Sequence, residues 1–234
     1  MKFLSPLPGS VRSAPDLVAL RLREAIFTGE LRPGDQLPPE IDLARGFGIA
    51  LMTVRVALNA LKDMGLLATV RGRNGGTFVT NDVGERIAEA ARQSPLTKVE
   101  LRDLTDWRRA ISGEACFLTA SRASAEDRVA IQTAGDNFDQ LLPKFPDVRF
   151  ADARLHSLIA ETSKSENLLR GEIEIQRILT EVILAIEKPR GSKHLTSFSH
   201  DPIIKAIAQG NGNAAREAML NHAEDTFTWV TLLL

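Results

Sequence analysis

The stretch that decides the fold runs from Leu31 to Val79: LRPGDQLPPEIDLARGFGIALMTVRVALNALKDMGLLATVRGRNGGTFV. Pro33 and Gly34 punctuate a turn, after which Ile41, Leu43, Ala44 and Phe47 recur at helical spacing and predict a short helix broken by Gly48. A second helix is expected from about Ala50 to Met64. Val54, Ala57, Leu58, Leu61 and Met64 form its apolar stripe, and Thr53, Arg55, Asn59 and Lys62 fall elsewhere on its surface. Gly65 suits the left-handed position just past the helix end. LLATV and TFVT read as strands around RGRNGG, whose small residues tolerate positive φ and let backbone approach a phosphate or groove. Arg71 and Arg73 sit at that tip. Two short helices followed by an arginine-bearing hairpin are the layout of a winged helix-turn-helix built for DNA.

The same residues carry a resemblance. Pro33, Gly34, Leu37, Pro38 and Glu40, then Gly48, Thr53, Val54, Arg55, Ala57 and Leu58, then Gly65, Leu66, Gly72, Gly75 or Gly76, Thr77, Phe78 and Val79 resemble the amino-terminal domain of the GntR family of bacterial transcription regulators. The resemblance implies that Thr53 and Arg55 contact backbone or base edges from the recognition helix. It also implies that the wing, with Arg71, Arg73, Asn74 and Gly75, reaches the adjacent minor groove. The chain departs from the family at Ala50, Leu51 and Met52. Relatives carry Ser-Arg at the helix start, and Ala50 cannot cap, a loss of about 0.5–2 kcal/mol in comparable helices. Leu51 offers no phosphate or guanine contact. Weaker or differently specified DNA binding is expected, and Leu51→Arg should tighten binding to arbitrary DNA.

At 234 residues and 44% apolar, the chain can bury a sizeable core, and its length fits one small and one medium domain. Its single cysteine, Cys116, excludes an internal disulfide framework and reads as buried packing. No apolar run is long enough to span a membrane and the start lacks the apolar core of a signal peptide, so the cytoplasm is expected. The net charge of -1 hides an asymmetry. Residues 1–80 hold 10 basic against 7 acidic side chains and the remainder 19 against 23, a modestly basic head on an acidic body. Upstream of the motif, DLVALRLREAIFTGE reads as an amphipathic helix packing through Leu17, Leu20 and Ile26, with Arg21 and Arg23 on a solvated face.

The joint is expected near Thr80–Gly84, giving domains 1–80 and 81–234. Beyond it the periodicity is helical almost throughout, which predicts a mainly α protein with an antiparallel bundle of six or seven helices. Four histidines occur in the chain. Asp152 and His156 share a helix face, His200 precedes a helix and His222 lies within the last one. One carboxylate and three imidazoles suit Zn²⁺, Ni²⁺, Mn²⁺ or Fe²⁺ with positions left open, although each histidine alone reads as a surface or hydrogen-bonded residue. DARLH, HDPIIKAIAQG and AREAMLNH together resemble the FCD effector domain of FadR-type GntR regulators. That resemblance implies that Asp152, His156, His200 and His222 bind one divalent metal per chain, Zn²⁺ first among the candidates. Leu155 replaces the usual aromatic, and His194 matches no motif position. The resemblance also places Arg108 toward the cavity, able to pair with an effector carboxylate, with Ser112 where a glutamate is usual; a solvated helix face for Arg108 or Arg109 stays open. Asn167 reads as a cap or turn residue.

The expectation is a homodimeric, metal-containing regulator that binds an inverted-repeat operator in double-stranded DNA and acts as a repressor released by a small organic acid. Two alternatives are a metal-dependent hydrolase with a vestigial winged-helix head and a regulator whose metal is structural or is itself the signal. Against the hydrolase, no acidic residue stands beside the motif as a general base.

Overall fold

The computed structural model describes residues 13–72, 75–186 and 199–233. The chain forms two compact units, one ending at Ala90 and the other beginning at Ala91.

In the first unit, α1 (Ala14–Phe27) is capped by Ser13 and packs on α3 (Leu51–Asp63). Its buried face is Val18, Leu22, Ala25, Ile26 and Phe27. Leu17 and Leu20 are only half-buried, because the stripe that meets α3 starts one residue later than expected. α2 (Glu40–Phe47) ends at Gly48, which takes the left-handed conformation at φ 68°. Ala50 occupies the N-cap of α3 and makes no side-chain capping bond. β1 (Leu67–Val70) pairs antiparallel with β2 (Gly76–Val79), Leu67 opposite Val79 and Val70 opposite Gly76. Gln36 bridges to Phe78 as a third, minimal strand.

The glycines of the hairpin serve different ends. Gly72 has φ +118°, the positive value expected of that run. Gly75 and Gly76 are needed for room instead: a Cβ at Gly75 would overlap the Val70 carbonyl oxygen, and one at Gly76 the Gln36 side chain. α4 (Val83–Arg92) follows, begun by a turn in which Thr80 donates to the Gly65 carbonyl at 2.8 Å. Arg86 of α4 lies against Gly65, so the first compact unit extends past the expected joint.

The second unit contains six helices among the described residues: α5 (Lys98–Arg122), α6 (Ala125–Leu141), α7 (Asp147–Thr162), α8 (Glu166–Ala185), α9 (Asp201–Ala208) and α10 (Gly212–Leu233). Thr97 with Glu100 and Ser124 with Asp127 form reciprocal capping boxes that start α5 and α6. Ser165 caps α8, and Asn167 lies exposed within its first turn, where it accepts a bond from Arg170. α5 packs against α7, α8, α9 and α10.

Two large apolar clusters fill most of the bundle, and a smaller one of Phe138, Val148 and Ala151 joins α6 to α7. The first gathers Cys116, Leu155, Ile159, Ile203, Ile207 and Met219 with their neighbours, and the second Leu101, Leu104, Ile175, Leu179 and Val230. Along α5, Arg108 and Ser112 fall between Leu104 of the second cluster and Cys116 of the first; along α10, Thr226 falls between Ala223 and Val230, and His222 lies buried beside Ala223. A buried polar layer therefore divides the core.

Candidate metal centre and nucleic-acid interface

The polar layer is built from α5, α7, α8, α9 and α10. On α7, Arg149, Asp152 and His156 recur at i, i+3 and i+7 and face one way. His200 is the N-cap residue of α9, and His222 lies midway along α10. One donor atom from each of Asp152, His156, His200 and His222 lies within 4.8 Å of every other. His156 Nε2 is 3.2 Å from His200 Nε2, and Asp152 Oδ1 is 3.0 Å from His200 Nε2 and 3.6 Å from His156 Nε2. Donors that sit about 2.0–2.2 Å from a divalent ion lie roughly 3–3.6 Å from one another, so this spacing fits a metal.

The charges are arranged to the same end. His156, His200 and His222 are all buried. Burial holds the His156 and His222 rings well below the usual imidazole range, which favours the neutral form that a metal ligand needs. Burial alone would raise the Asp152 carboxyl, but the Arg149 guanidinium beside it, together with His156 and a hydrogen bond from His200, outweighs that effect and holds it well below the usual carboxylate range. Arg149 donates to Asp152 Oδ2, to Gln176 and, at 3.1 Å, to Thr180 Oγ1. Asp152 Oδ1 is thereby turned toward the histidines, the outer-shell orientation that ligating carboxylates need.

Arg108 is 2% exposed, so the solvated-face alternative fails for it. Its Nη1 donates to Thr226 Oγ1 at 3.0 Å, its Nη2 lies 3.2 Å from His156 Nε2, and its Nε is buried with no partner among the described residues. Arg109 points elsewhere and pairs with Glu224. Ser112, at the position where the FCD resemblance implies a glutamate, donates to Glu172 Oε2 at 2.6 Å. Gln176 donates to Glu172 Oε1 at 2.7 Å. α8 thus supplies the carboxylate that α5 lacks.

Sequence reading missed Arg149, Glu172 and Gln176. The spacing of Arg149 to Asp152 and His156 was a usable signal. Glu172 and Gln176 sit in a charge-rich helix where nothing local separates a buried glutamate from an exposed one. Leu155 is fully buried in the first apolar cluster, and Cys116 is buried beside it. His194 lies outside the described residues.

At the other candidate site, Thr53 is half-buried in the first turn of α3, and Arg55 is exposed one residue beyond the buried Val54. Arg55 Nε donates to Glu40 Oε2 at 2.8 Å, tying α3 to the start of α2. Arg71 is exposed at the hairpin tip, and the Gly75 amide donates to the Gly72 carbonyl at 2.9 Å. Arg73 and Asn74 lie outside the described residues.

Residues 16–79 match the family described as bacterial regulatory proteins, gntR family, and residues 103–225 match the FCD domain. The chain belongs to the GntR family. RmpR of Mycobacterium gastri, named an HTH-type transcriptional regulator, is 32% identical over 213 residues, 88% of this GntR chain and 76% of its own. The HTH-type transcriptional regulator LutR of Bacillus subtilis is 30% identical, over 84% of this chain and 92% of its own. The solved structure of McbR/YncC from E. coli shares the fold, with a TM-score of 0.54 at 16% identity over 95% of this chain and 99% of that one. This GntR protein is therefore a transcription regulator with a DNA-binding head and an FCD effector domain, and its relatives are regulators. Among the described residues no helix is long and apolar enough to cross a membrane.

Proposed function

We propose that this regulator is a homodimeric, cytoplasmic, non-catalytic repressor that leaves an inverted-repeat operator when a small organic acid binds in its FCD domain. The observation that carries the effector class is one edge of Arg108. Nε and Nη2 form the side-on fork of the guanidinium; Nε has no partner among the described residues, and Nη2 leans on His156 Nε2. With that ring nitrogen given to a metal, both N–H groups of the edge are left side by side, the fork that a carboxylate accepts bidentately. Asp152, His156, His200 and His222 would hold one divalent ion, Zn²⁺ first among Zn²⁺, Ni²⁺, Mn²⁺ and Fe²⁺. Such an ion supplies a Lewis-acidic anchor for effector oxygens. Thr53, Arg55, Arg71, Arg73, Asn74 and Gly75 would meet DNA, with affinity lowered through the effector's preference for one arrangement of the heads.

The test uses full-length protein loaded with Zn²⁺ and an operator selected from genomic fragments. Mono-, di- and 2-hydroxycarboxylic acids are titrated while operator binding is followed by fluorescence anisotropy. Release by at least one acid is expected, together with a loss of that response in Arg108→Lys, which keeps the charge but not the fork. Operator affinity that ignores every acid in the metal-loaded protein overturns the reading.

A further inference from the structure

The outward face of α3 is unusual for a helix that meets DNA. Its buried side is Val54, Ala57, Leu58 and Leu61. The opposite side carries Met52, 62% exposed, and Val56, 53% exposed, with Arg55 between them in sequence. Met52 and Val56 are i,i+4 neighbours and form one apolar edge. The Met52 sulfur lies 3.9 Å from Arg55 Nη1, so this edge abuts the cation expected to reach the groove. Arg55 on the same helix is exposed, and the same unit also exposes Arg45 on α2 and Arg71 on the wing. An apolar edge with a cation against it, on a unit that matches a DNA-binding family, suits a polyanion better than an apolar protein partner. The apolar feature a major groove offers at its base edges is the 5-methyl group of thymine.

We infer that Met52 and Val56 are specificity-determining residues that read thymine methyl groups in the operator. Ala50 and Leu51 at the start of this helix offer no side-chain hydrogen-bond donor or acceptor, and Met52 and Val56 after them present apolar surface, so this edge can read bases only by apolar contact. The helix end nearest the bases in a helix-turn-helix is its N-terminal part, where Met52 stands; Val56 follows one turn later. The inference rests on the regulator reading above and adds a base identity to it.

The test replaces thymines of a selected operator one at a time by uracil, which removes the methyl and leaves every hydrogen-bonding group in place. The full-length protein first selects its operator from a random duplex pool. Binding is then measured by anisotropy for the wild type, Met52→Ala and Val56→Ala. At one or two thymines in each half-site the wild type is expected to lose about fourfold in affinity per methyl, the worth of one buried apolar carbon. The corresponding alanine variant loses nothing further there. Because both side chains are more than half exposed, the variants keep the wild-type melting temperature. Their salt dependence also stays unchanged, in contrast to Arg55→Ala. Wild-type binding that is indifferent to uracil at every position overturns the inference while leaving the regulator standing. Uracil penalties of equal size in the wild type and both variants also overturn it. Failure to enrich any duplex overturns both.

Discussion

The first unit keeps the side chains it is proposed to use in solvent, and the second keeps them in its core. Arg55 and Arg71 are exposed, on a helix and a hairpin whose buried sides are apolar. Arg108, Arg149, His156, Glu172, His200 and His222 are buried, between two apolar clusters. An exposed functional residue can be changed with little effect on folding, whereas a buried charge or imidazole destabilises the fold unless every polar atom is satisfied. The polar layer is not fully satisfied: Arg108 Nε, Ser157 Oγ and His200 Nδ1 lack partners among the described residues. A ligand that completes the layer should therefore stabilise the second unit far more than DNA stabilises the first.

Metal removal is the largest expected effect. With free Zn²⁺ a thousandfold above its dissociation constant, chelation should lower the stability of the second unit by about 4 kcal/mol and leave the first unchanged. Differential scanning calorimetry, resolving the two transitions, checks this. Equal shifts in both units would end the contrast between them. Glu172→Ala comes next. It strands the Ser112 hydroxyl and the Gln176 amide in the core, at about 1–3 kcal/mol for each unsatisfied donor. Urea unfolding should show a loss of about 2–5 kcal/mol, larger than that of Glu172→Gln, which keeps one acceptor.

The two units also differed in how far they could be read from sequence. The head was legible because its signals are local: a glycine ends a helix, a second ends the next, and an apolar stripe lies between them. The slip was one of phase, since α1 buries Val18 and Leu22 where Leu17 and Leu20 were expected, and a helix with scattered leucines does not reveal which stripe its neighbour will meet. The bundle was legible as helices. Its candidate ligands come from three helices spread over 70 residues, and only a family resemblance brought Asp152, His156, His200 and His222 together beforehand. Glu172 escaped because its burial is decided by Ser112, 60 positions away. Long-range pairings of that kind leave no periodic trace.

Two smaller effects sharpen the contrast from the head's side. Arg55→Ala should weaken operator binding by about tenfold or more, as loss of a groove or phosphate contact does. It should change the first transition by no more than about 0.5 kcal/mol, because its partner Glu40 is itself partly exposed. Ala50→Ser restores an N-cap to α3 and should stabilise the first unit by about 1 kcal/mol, visible as a rise in its melting temperature. No gain would mean that the Ala50 position is constrained by more than its missing cap.

The smallest effect tests whether exposure alone explains the weakness of the head's ion pair. Arg55 and Glu40 pair through one nitrogen, with side chains 50% and 34% exposed. Glu224 in the second unit, at 36% exposure, receives Arg102 through two nitrogens at 2.8 and 3.0 Å and Arg109 as well. Those bonds from Arg102, then Arg109, hold its carboxyl down at about 2. The sign follows from that depression. The unfolded chain takes up this proton first as pH falls below about 4.5, so the contribution of Glu224 is complete above that value and is lost as pH drops toward 2. Solvent screening limits it to about 1 kcal/mol or less. Comparing wild type with Glu224→Gln cancels the acid sensitivity of the remaining groups: the stability gap should be constant above pH 5 and shrink below pH 4. If the gap is present and Glu40→Gln at neutral pH leaves the first unit unmoved, geometry rather than exposure separates the two pairs, and Arg55 is left free to exchange Glu40 for DNA.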